Sequence, residues 1–98
     1  MNMQQMIIQA QKMQREMQKK QKELEEKEFT ISKGGAVTVV VKGDKSIKSI
    51  NIDKDALDPE NKEMVEELIA LAINEAIEQI REAEAAISES VTGNGPLF

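Results

Sequence analysis

The chain has 98 residues, 32% of them charged, and a formal net charge of -5. It contains no Cys and no His, which excludes disulfides, Cys/His metal sites and imidazole acid/base chemistry. One small domain spanning 1–98 is expected, too small to bury a large core alone, so self-association is the natural supplement. No run approaches the roughly 18 apolar residues of a membrane span, and the first ten residues lack a basic region followed by an apolar one. A cytoplasmic protein with no membrane partner is therefore expected.

From Met3 to about Lys27, apolar residues recur as Met3, Met6, Ala10, Met13, Met17 and Leu24 among Gln, Lys and Glu. Written as a heptad, 3, 10, 17 and 24 fall at a and 6 and 13 at d, the spacing of a coiled-coil seam. Met6, Ala10, Met13, Met17 and Leu24 are thus the expected dimer or helix-packing seam. On the opposite edge Lys12, Arg15, Lys19 and Lys22 occupy c and f, with Lys20 adjacent, and cover about 15 Å of helix at 1.5 Å per residue. The residues alone allow two readings of this basic line: the solvated flank of a coiled coil, or an edge matched to DNA phosphates. Charge is divided in the same sense, since residues 1–48 carry ten Lys/Arg against six Asp/Glu and residues 49–98 three against twelve. An anionic partner is expected to meet the first half.

At Glu28 the period changes from helical to alternating. Strands are expected at 28–33, 36–42 and 45–53, joined by turns at Gly34-Gly35 and Gly43-Asp44. The second, with Val37, Val39 and Val41 on one face, is the expected central strand. Ile47 is out of phase with Ile50 and Ile52, which predicts a bulge near Lys48 or Ser49. The apolar face of this antiparallel meander needs a cover, and Leu57 is expected to plug back into the core. Asp58-Pro59 reads as a cap and first helical position, opening a helix over about 59–90 whose apolar stripe runs from Val65 to Ile87. Residues 91–98 are expected to form a flexible tail.

No catalytic or metal site is expected. Asp53, Asp55 and Asp58 lack the glycine and terminal Glu of a calcium loop. Glu66-Glu67 and Glu75/Glu78 lie on the wet side of the second helix without a nucleophile. Gly34-Gly35 precedes a strand, so it is no phosphate loop. No cofactor, small-molecule substrate or enzymatic activity is therefore expected. With Phe29 the one aromatic in the sheet, base stacking on a single strand is disfavoured, which leaves duplex DNA. No recognition-helix motif is visible either.

In this order the elements resemble the YbaB/EbfC family of bacterial nucleoid-associated proteins. The resemblance is carried by NKEMVEELIALAINEA (Asn61–Ala76), the first helix QAQKMQREMQKKQKELEE, the strand GAVTVVVKG, the turn IDKDAL and the closing G-x-P-x-F. It implies an α+β homodimer of α-β-β-β-α subunits with projecting helical arms. It also implies binding of double-stranded DNA with little sequence preference, a change in DNA conformation and effects on nucleoid organisation or gene expression. No Gly-rich leader precedes the first helix, so contacts made through such an extension are not carried over. The contact residues Lys12, Arg15, Lys19, Lys20 and Lys22 rest on spacing alone. The alternative reading is a coiled-coil adaptor or prefoldin-like holdase that grips protein clients through the Met-rich seam and binds no DNA.

Overall fold

The structure, a computed structural model, describes residues 2–92. Helix α1 (Met3–Glu26) leads into strands β1 (Glu28–Lys33), β2 (Val37–Lys42) and β3 (Ile47–Ile52), and two 3₁₀ turns then precede helix α2 (Lys62–Thr92). This is an α+β fold with an antiparallel sheet in the order β1-β2-β3. Of the tail expected over 91–98, residues 91–92 belong to α2 and the remainder lies outside the described residues.

Alternation in the strands places their apolar residues on one face. Phe29 and Ile31 of β1 and Val37, Val39 and Val41 of β2 are buried, the three valines at 1% exposure or less. The β1–β2 hairpin turns at Gly34 and Gly35, both with positive φ (60° and 65°), and Ala36 N–H donates to the Lys33 carbonyl at 3.1 Å. Two central residues at positive φ give the primed turn whose twist suits a hairpin.

On the other side of β2, Val40 pairs with Ser49 but Val41 pairs with Ile47, so Lys48 is the extra residue of a bulge. The bulge brings Ile47 onto the face of Ile50 and Ile52, which pair with Val39 and Val37. The phase break in the sequence is thus the mark of the bulge itself.

The β2–β3 connection takes its left-handed residue from Lys45 (φ 73°), while Gly43 is needed for space. A Cβ on Gly43 would lie 1.8 Å from the Leu24 carbonyl oxygen and 2.6 Å from its carbon. The Gly43 N–H donates to the Lys27 carbonyl at 2.9 Å, which ties the end of α1 to the hairpin. In the same turn the exposed Asp44 carboxylate accepts from the Ser46 hydroxyl and backbone N–H, and these bonds, the hydroxyl first, hold its pKa below the ordinary 3.8. A depressed carboxyl stabilises the fold above its unfolded pKa, and the contribution is lost as pH falls through the folded value. Ser46→Ala is expected to raise the Asp44 pKa toward 3.8, as read by NMR titration of the side-chain carboxyl carbon; an unmoved Asp44 would show that the hydroxyl does not set it.

Helix α2 covers β1 and β2 with Ala72, Ala76 and Ile80, each fully buried, and the small alanines let helix and sheet approach closely. Leu68 sits over the first hairpin, 3.5 Å from a Cβ placed on Gly34, and Lys33 bridges to Glu75 at 2.6 Å.

Two expectations about the core are corrected. Leu57 is 65% exposed and Ala56 is buried in its place. Asp53 caps a 3₁₀ turn over Lys54–Ala56, with the Asp55 N–H donating to Asp53 Oδ2 at 3.1 Å, and this rotation turns Ala56 inward and Leu57 outward. The sheet face is also covered incompletely, since α2 lies over β1 and β2 and leaves Ile47 and Ile50 of β3 at 48% and 45% exposure. Asp58 caps a 3₁₀ turn at Pro59–Asn61 by accepting from Glu60 N–H at 2.9 Å, so α2 starts three residues later than the cap signal implies.

Candidate nucleic-acid interface

Helix α1 is 24 residues long, about 36 Å at 1.5 Å per residue, on a molecule measuring 69 × 23 × 14 Å. Its N-terminus is capped by Asn2, whose Oδ1 accepts from Gln5 N–H at 2.8 Å. Its C-terminal half lies antiparallel to the end of α2. Leu24 enters the core, and four residues upstream the Lys20 ammonium donates to the Ser90 hydroxyl at 3.0 Å.

The seam is therefore divided. Leu24 is buried and Met13 and Met17 are half-buried, whereas Ala10, Met6 and Met3 are exposed, the two methionines at 57% and 75%. The arm extends past the described end of α2, and residues 2–12 are all exposed.

Lys12, Arg15, Lys19 and Lys22 are all exposed. At 100° per residue they fall within an arc of about 80° on the side opposite Met13, Met17 and Leu24. Among the described residues none of the four is in an ion pair, while Lys33, Lys45, Lys48, Lys62 and Arg81 each meet a carboxylate. Exposed pairs of that kind contribute little stability, but they offset five cations of the body, whereas the line on the arm is left without carboxylate partners among the described residues. Lys20 stands apart from this line, half-buried on the side facing α2.

Two features escaped the sequence reading. Ile8, 60% exposed, extends the c/f edge of the basic line toward the helix tip. Leu57, Ile47 and Ile50 form an open apolar margin beside a shallow depression lined by Ile52, Val65 and Ile69. The off-heptad position of Ile8 was a usable signal. The open margin had none, because an alternating strand looks the same whether its own helix or another chain covers it. No group of three or more Cys, His, Asp or Glu suited to a metal occurs among the described residues, and none of the described helices is long and apolar enough to cross a membrane.

The site is thus a small α+β body carrying a projecting helix with an exposed basic edge. The chain belongs to the YbaB/EbfC DNA-binding family, whose model matches residues 1–95. A nucleoid-associated protein of Mycoplasmopsis pulmonis is 45% identical over 93% of this chain and 90% of its own length. Another, from Clostridium novyi, is 50% identical over 95% of this chain and 82% of the relative. An uncharacterized protein of Helicobacter pylori, solved by crystallography, shares the fold at a TM-score of 0.77 and 22% identity, covering 95% of this chain and 99% of that one.

Proposed function

We propose that the protein binds duplex DNA as a homodimer with little sequence preference, through the c/f edge of α1, and alters the path of the duplex in the bacterial nucleoid. The observation that carries this reading is the line Lys12, Arg15, Lys19 and Lys22, exposed and free of ion pairs among the described residues. Phosphate contacts from such a line give affinity and register without reading sequence. Lys20 flanks it and reaches a phosphate only by leaving Ser90. The nucleoid-associated relatives at 45% and 50% identity support the same location for this chain. The test is a titration of labelled random-sequence duplex at low and moderate salt: saturable binding that weakens as salt rises is expected, and a flat or absent response favours a protein-binding adaptor.

The dimer in this reading forms on the margin left open beside β3. Ile47, Ile50 and Leu57 are exposed there, next to half-buried Ile52, Val65 and Ile69. A second copy related by a twofold axis would cover this face with its own. An unpaired edge strand with apolar side chains is otherwise an aggregation hazard. The wild type is expected to sediment at twice its 10.9 kDa chain mass, and Ile47→Asp/Ile50→Asp at the single mass with unchanged circular dichroism. A wild-type monomer at micromolar concentration would rule this face out.

A further inference from the structure

The c/f edge of α1 does not begin at Lys12. Continued toward the N-terminus it reads Gln5, Ile8, Lys12, Arg15, Lys19, Lys22, one row with two chemistries. Gln5 and Ile8 are exposed, and Gln5, Ile8, Gln9 and Lys12 line one shallow depression with Met13 and Glu16. From Met3 to Gln11 no residue carries a charge. A segment made only for phosphate would not be neutral, and here the row that carries the cations continues into an isoleucine at 60% exposure within an apolar tip that also exposes Met3, Met6 and Ile7.

We propose that this edge is a two-part reader of duplex DNA, in which Gln5 and Ile8 enter the major groove and contact A·T base edges while Lys12, Arg15, Lys19 and Lys22 grip the adjoining phosphates. The inference rests on the DNA-binding reading above and adds to it a modest bias for A·T-rich sequence.

The geometry and the chemistry agree. The major groove is about 12 Å wide and admits one α-helix, whose diameter with side chains is about 10–12 Å. A straight helix leaves the curving groove after a few turns, so its neutral tip meets base edges while the following charged turns run along the backbone. Ile8 lies about 6 Å along the axis from Lys12 and about 21 Å from Lys22. At the base edge an aliphatic side chain meets the thymine C5-methyl, and a glutamine amide pairs with adenine N6 and N7. Both groups favour A·T, and neither repels phosphate. The cations fix the register from which these two side chains reach the bases. The apolar tip is given this occupant, and not a second arm, because its row is continuous with the cations and two such rows would repel.

The test uses the full chain and three duplexes of equal length, titrated by fluorescence anisotropy: A·T-rich, the same with deoxyuridine replacing every thymidine, and G·C-rich. Deoxyuridine keeps base pairing and charge and removes only the major-groove methyl. The wild type is expected to bind the A·T duplex about fivefold more tightly than the G·C duplex and about threefold more tightly than the uracil duplex. Ile8→Ala should erase the thymine–uracil difference without changing the slope of affinity against salt. Gln5→Ala should reduce the A·T to G·C ratio. Equal wild-type binding to the thymine and uracil duplexes overturns the inference while leaving phosphate binding intact. Loss of self-association in Ile8→Ala, together with that equality, would assign the tip to a second copy and also overturn it. Failure to bind any of the three overturns both this inference and the reading beneath it.

Discussion

Changing Lys12, Arg15, Lys19 and Lys22 together to Gln is expected to abolish measurable duplex binding at moderate salt while leaving the fold intact. Each phosphate neutralised contributes about -0.9 to the slope of log affinity against log salt, so one fully engaged arm contributes about -3.6. Between 50 and 200 mM salt that slope alone weakens binding by about two orders of magnitude. The four side chains are exposed and, among the described residues, form no ion pairs, so their removal takes nothing from the core. Circular dichroism and thermal unfolding should match the wild type. Lys20→Gln is the informative contrast, because its ammonium is engaged with Ser90, and a smaller loss of affinity is expected. Unchanged binding by the quadruple variant, or a salt slope that does not flatten, would remove α1 as the DNA-contacting element.

The second large effect is on stability, at Gly43→Ala. The added methyl would meet the Leu24 carbonyl oxygen at 1.8 Å and the Glu25 Cα at 3.2 Å, which are backbone atoms and cannot rotate away. Relief requires the hairpin to move off the end of α1, which breaks the Gly43–Lys27 hydrogen bond and draws Leu24 out of the core. Overpacking and the loss of a buried leucine cost about 1–3 and 2–5 kcal/mol respectively. A net loss of about 3 kcal/mol corresponds to a fall in Tm of roughly 12–24 °C for a domain of this size. Gly35→Ala is the control. Its Cβ meets nothing within 4 Å, so its penalty is only that of a positive φ, about 1–2 kcal/mol. If Gly35→Ala proves the more damaging change, the tight junction between α1 and the hairpin is not what Gly43 secures.

The order of elements was legible because each carries its own period. Val37, Val39 and Val41 announce a half-covered strand, the stripe from Val65 to Ile87 announces a long helix, and the misplaced Ile47 announces the bulge that re-aligns it. What could not be read is how far one element extends over its neighbour. The sequence identifies Ile50 as apolar, but only the position of α2 over β1 and β2 leaves it open. Leu57 misled for a local reason, since one 3₁₀ turn exchanges it with Ala56. For the candidate interface, heptad spacing sets Lys12, Arg15, Lys19 and Lys22 on the edge away from the seam. The same register puts Lys20 at d, a placement that accounts for its turning toward Ser90. Periodicity likewise gave Met3 and Met6 the same standing as Met17, although the length of α2 separates covered from uncovered.

That uncovered stretch has a consequence for how such a protein changes over generations. Residues 3–12 are exposed throughout and contribute no member of the core cluster. Substitutions there leave folding free energy almost untouched, since surface changes away from caps and networks fall within about 0.5 kcal/mol. Selection can therefore retune the charge or the reach of the arm without drawing on the narrow stability margin of a 98-residue chain. The body sets whether the molecule exists, and the arm is free to drift toward a new task.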